Sequence, residues 1–371
     1  MKINYFKSSV FVALAVVGLT SCKKDKVVEE VIAPYDVPAT YNFTNVDYAE
    51  ATLAVNMATG LQTYLGKATT RKLSQDTVNY IWNNTNNGFT NEFVVNLPNT
   101  AAQLNAATSI KLSALSAEPA VIKALADEMV NVSKSLAATA VQGVAGKISA
   151  TRIVSATGLE YNQLVVKGLM GYFQMKQVME HLDKSTSADN KTVVTGKGTA
   201  MQHEWDLAFG YVSLPKEYDS AAVYANTNLT RPLGIGGYFR ERARPIAAGG
   251  NVFSAFLKGR AAIGANDYKV RDAAILTIKE YLDKTLAISA YAYLNLSKTR
   301  GSDNAARFHD YSEGYGFTIA LKQRSANSKL TAANYQKLTD VLKLDFWELQ
   351  KTENATKIDE IIAILKSTYS F

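Results

Sequence analysis

The chain has three histidines, and two of them sit at helical spacing from a carboxylate. In the run Met201-Gln202-His203-Glu204-Trp205-Asp206, His203 and Asp206 are three residues apart. In Phe308-His309-Asp310-Tyr311-Ser312-Glu313, His309 and Glu313 are four apart. At about 100° per residue, either spacing puts an imidazole and a carboxylate on one helix face. Two helices that each offer such a pair can assemble a carboxylate–histidine metal site inside a bundle. Imidazole with carboxylate suits a transition metal, iron or zinc, better than calcium. The expected metal set is therefore His203, Asp206, His309 and Glu313. The competing reading of the same spacing is two buried polar networks that tie helices together. The third histidine, His181, falls at the end of a candidate helix, where the helix dipole favours it.

Catalytic motifs fare less well. His203-Glu204 begins like H-E-x-x-H, but position 207 is Leu, so the second zinc ligand of a metallopeptidase is missing. There is no G-x-S-x-G, and Gly234-Ile235-Gly236-Gly237 is not followed by the Lys-Ser/Thr of a phosphate loop. No catalytic or cofactor-binding residue is assigned.

The elements that must position the pairs are helices. Proline-free stretches rich in Ala, Leu and Lys predict helices near 48–67, 99–115, 119–138, 157–183, 194–212, 251–264, 268–297, 304–323, 330–350 and 356–368. Residues 139–153 carry glycine and β-branched residues and read as a loop or short hairpin. The stretch 214–250, with three prolines and several glycines, reads as a long irregular connection. The glycines of Lys167-Gly168-Leu169-Met170-Gly171 and Glu313-Gly314-Tyr315-Gly316-Phe317 form a faint internal echo, each allowing a second helix to come close. The class is all-α, with two packed helical-bundle halves at about 41–213 and 251–371.

The single cysteine, Cys22, sets the expected compartment. Lys2 and Lys7 precede an apolar run from Val10 to Leu19, then Leu19-Thr20-Ser21-Cys22. That run is too short to span a bilayer, and small residues before a cysteine resemble a bacterial lipobox. Residues 1–21 read as a lipoprotein signal, Cys22 as the lipidated residue, and 22–40 as a tether. The partner this implies is a membrane reached through acyl chains, in the cell envelope and at the outer membrane first. Losing the two signal lysines takes the net charge from +7 to +5, without a basic cluster, so nucleic acid is not an expected partner.

Five phrases carry a family resemblance: YNFTNVDY at 41–48, KGLMG at 167–171, GTAMQHEWDLAFGY at 198–211, AFLKGRAAI at 255–263 and SEGYGF at 312–317. Together they are similar to the DUF4856 family of Bacteroidetes lipoproteins, from about residue 35 to the C-terminus. That family in turn looks imelysin-like, which implies an exported all-α protein connected with iron acquisition, or with an older peptidase label. The G-x-H-x-x-E motif of imelysins corresponds here to Met201-Gln202-His203-Glu204-Trp205-Asp206, with Met for the glycine and Asp for the glutamate. The expected function is an envelope lipoprotein that binds a metal, iron first, or an iron-bearing small ligand. The alternatives are a metal-dependent peptidase and a glycan-binding lipoprotein.

Overall fold

Hydroxyl and carboxylate caps start many of the helices. Thr100 and Thr199 each accept from the backbone N–H three residues on, while Gln103 and Gln202 return a bond to the cap nitrogen, completing capping boxes. Ser74, Asp267, Asp303, Thr331 and Asp345 cap in the simpler one-way form. A computed structural model describes residues 32–371. The helices are α1 (Ala49–Gly66), α2 (Gln75–Asn83), α3 (Ala101–Ala106), α4 (Leu112–Leu115), α5 (Pro119–Ser133), α6 (Tyr161–Leu169), α7 (Lys176–Lys184) and α8 (Ala200–Val212). They continue as α9 (Ile235–Glu241), α10 (Ala248–Gly264), α11 (Tyr268–Ser297), α12 (Asn304–Ala320), α13 (Ala332–Leu342), α14 (Phe346–Leu349) and α15 (Ala355–Tyr369). The antiparallel hairpin β1 (Gly146–Ser149) and β2 (Arg152–Val154), with Gly146 opposite Val154, falls inside the segment read as loop or hairpin. The fold is all-α apart from that hairpin, as expected.

Some boundaries differ. The stretch 99–115 breaks into α3 and α4, and 330–350 into α13 and α14. Helix α2 was not expected, because its Asn and Thr residues favour helix weakly; burial of Val78, Ile81 and Trp82 on one face holds it. Helix α9 lies within the stretch read as irregular, so 214–250 is not loop throughout. Its start is fixed from outside. A π-helical turn at Met170–Met175 interrupts 161–184 and presents Gln174, whose Oε1 accepts from Ile235 N at 3.0 Å.

The two glycine segments of the internal echo pack against each other. Glu160 N donates to Ser312 Oγ, Gly316 lies on Leu164 and Lys167, and Gly171 lies on Ala320, so α6 and α12 run side by side in one direction. A Cβ on Gly171 would stand 2.3 Å from the Ala320 carbonyl oxygen. Gly171→Ala is expected to lower stability by about 1–3 kcal/mol through overpacking, read as a lower urea midpoint at constant m. Gly66→Ala, where added volume meets nothing, is the control.

Helices from both stretches share one core: α6 packs on α12, and α8 on α1, α7 and α10. Residues Pro34–Phe371 form one unit. The chain joins it before residue 41, since Tyr35 Oη donates to Asp267 at 3.0 Å and Tyr41 is wholly buried, stacked 3.7 Å from Phe209. The segment 1–21 expected to be a signal, and Cys22, lie outside the described residues.

Candidate functional site

His309 and Glu313 do share a face of α12, and the structure adds partners that spacing alone did not show. His309 Nδ1 bonds Glu160 Oε2 at 3.0 Å, and Nε2 bonds Glu313 Oε1 at 3.2 Å. Glu313 also pairs with Lys167 at 3.3 Å, and Glu160 with Arg152 at 3.3 Å. The result is a row of alternating charge, Arg152–Glu160–His309–Glu313–Lys167, across β2, α6 and α12, with Glu160, Glu313 and Lys167 buried and Arg152 and His309 partly so. Lys167 Nζ continues it to the face of Tyr238, 5.2 Å from the ring centroid. Burial by itself lowers the His309 pKa, but the bonds to Glu160 and Glu313 outweigh it and raise it to about 9. Burial raises Glu313, and the His309 bond and Lys167 charge overcome that and bring it to about 2. The ring is therefore held as an imidazolium that donates from both nitrogens, and a metal would have to displace its proton and both carboxylate bonds.

His203 and Asp206 are not a pair. Asp206 is fully buried and accepts from Tyr41 Oη at 2.7 Å and Arg260 Nε at 2.8 Å. Burial lifts its pKa to about 6, against the pull of Arg260 and Tyr41. Arg260 is itself 3% exposed, with Phe43 5.3 Å from its guanidinium. His203 stays half-buried, and its Nδ1 has no partner among the described residues. Its neighbour Glu204 bonds His181 Nδ1 at 2.6 Å, and the His181 ring stacks on Tyr211.

The four expected ligands thus do not meet. Arg260 and Tyr41 draw Asp206 into the α8–α10 core, while Glu160 and Lys167 occupy His309 and Glu313 on α12. Among the described residues no group of three or more His, Cys, Asp or Glu side chains is placed to hold a metal ion. Glu160, Lys167, Arg260 and Tyr41 were missed as site residues. The last three lay inside the family phrases, and a charged residue within an apolar helical run was the available signal.

A cleft open to a ligand lies elsewhere. With a volume of about 640 Å³, it runs between α1 and the segment 213–233, lined by Tyr48, Thr52, Asn56, Lys216, Tyr224 and Arg231 among others. Asn56 is 1% exposed; its Nδ2 donates to Asn99 Oδ1 at 2.6 Å, and its Oδ1 has no partner. A buried amide oxygen without a donor is costly, so it marks where a ligand gains most.

Fold and site together define an all-α protein with a core knitted by buried ion pairs and a polar cleft at its surface. The chain belongs to the family described as a domain of unknown function, DUF4856, whose model matches residues 38–371. No curated protein and no solved structure matches it. No helix among the described residues is long and apolar enough to cross a membrane.

Proposed function

We propose that the protein is a cell-envelope lipoprotein, held at the outer membrane through acyl chains on Cys22, that binds an iron-bearing ligand without turning it over. The observation that carries binding is the cleft whose lining includes Asn56 with its buried, unpaired Oδ1. The imelysin-like resemblance supplies the iron. The commitment of His309, Glu313 and Asp206 to internal partners moves the reading from a bare ion to a chelate that arrives with its metal already coordinated. A peptidase fits less well, since Glu204, the base of an H-E-x-x-H site, is held by His181. A glycan is the second reading, favoured by the rings of Tyr48 and Tyr224 in the cleft wall.

Calorimetric titration of the full chain with ferric citrate, haem and a panel of oligosaccharides tests the proposal. Saturable binding of a ferric ligand is expected, and binding of oligosaccharide alone would replace iron with glycan. Anchoring has its own test. Cys22→Ala is expected to abolish acyl labelling and shift the protein out of the membrane fraction, and unchanged labelling would remove Cys22 from the account.

A further inference from the structure

Several lysines on the helix surfaces have a carboxylate at hand: Lys176 and Lys184 flank Glu180, and Lys284 pairs with Glu280. The two cations of the cleft have other neighbours. Lys216 Nζ lies 5.8 Å from the Tyr48 ring centroid, and Arg231 Nη1 donates to the carbonyls of Asn96 and Asn228. Neither is in an ion pair among the described residues, although Glu217 also lines the cleft. Arg231 is half-buried, and its pKa is lowered by desolvation with no carboxylate to restore it. A cation partly withdrawn from water without a counter-charge is disfavoured until an anion joins it. Carbonyl bonds on one edge of the guanidinium leave its other N–H groups for a planar oxyanion.

We infer that the cleft is an oxyanion site, in which a carboxylate or phosphate group of the ligand sits between Arg231 and Lys216 while a ligand O–H or N–H donates to Asn56. The two cations face one acid, Glu217, so a cationic ligand is repelled and an anionic one drawn in. The inference deepens the binding role proposed for the cleft, but it does not depend on iron. A polycarboxylate chelate and a phosphorylated sugar present the same chemistry.

The test is titration of the full chain with citrate, ferric citrate, glucose 6-phosphate and haem, alongside Arg231→Met and Lys216→Met. Both substituted side chains line the cleft, Lys216 exposed and Arg231 half-buried, so retained helical content and cooperative unfolding are the folding control. Lys216→Met, which breaks no hydrogen bond within the chain, separates lost charge from a loosened loop. Loss of one charge-assisted contact is expected to weaken anion binding about 10- to 100-fold in each variant. Stronger binding of the citrates identifies a carboxylate ligand, and stronger binding of the sugar phosphate a phosphorylated one; either supports the site. If ferric citrate and citrate bind equally, the iron reading fails and the oxyanion site stands. Overturning results are anion binding, haem with its carboxylates included, that both variants retain, or no binding of any anion.

Discussion

Asp206→Ala is expected to lower the unfolding free energy by about 3–5 kcal/mol, the cost of stranding a buried charge. Arg260 would keep its guanidinium at 3% exposure with no carboxylate, and Tyr41 Oη would lose its acceptor. The same argument makes the pair dispensable when both partners go. Asp206→Leu combined with Arg260→Met is expected to recover most of the loss, since apolar residues of similar size remove the desolvation cost on both sides. Urea unfolding at pH 7.5, above the Asp206 pKa of about 6, reads both variants with the carboxylate ionised in the parent. A single variant within about 0.5 kcal/mol of the parent would mean that the ion pair does not bear on stability.

Alkaline pH is expected to weaken the fold through His309. Below pH 6.5 the imidazole is charged in folded and unfolded chains alike, and its bonds to Glu160 and Glu313 contribute in full. Between pH 6.5 and about 9 the unfolded chain has released the proton while the folded chain still holds it, so the contribution is progressively lost. That interval corresponds to about 3 kcal/mol. Glu313 behaves oppositely: its contribution is present above pH 4.5 and lost as pH falls towards about 2. The two limbs belong to one ion pair and are counted once. Denaturation midpoints measured from pH 5 to 10 should fall across the upper interval in the parent and stay nearly level there in His309→Gln. An equal slope in both would assign the alkaline loss to other groups.

Much of the fold was legible because helix signals are local. Proline-free apolar periodicity placed α1 and α11 almost to the residue, and the Thr, Asp and Ser caps are visible as sequence. Helices α2 and α9 were not, since Asn, Thr and Gly argue against helix locally and packing overrides them. Tertiary contact is what decides such segments: Gln174, more than fifty residues earlier in the chain, holds the first turn of α9.

The candidate site divides along the same line. Sequence alone determined that His309 and Glu313 share a helix face and that each glycine segment lets some other helix come close, because both follow from helical period and side-chain size; that the two segments close on each other was decided by the packing. Sequence could not determine which charge each carboxylate meets. Asp206 turns to Arg260, 54 residues away, and His309 to Glu160, 149 away, because a buried charge is stable only beside its opposite. Nor could it place Asn56, Lys216 and Arg231 around one cleft. Those positions are distant in the chain and share no period, so only the packing of α1 against the 213–233 segment brings them together.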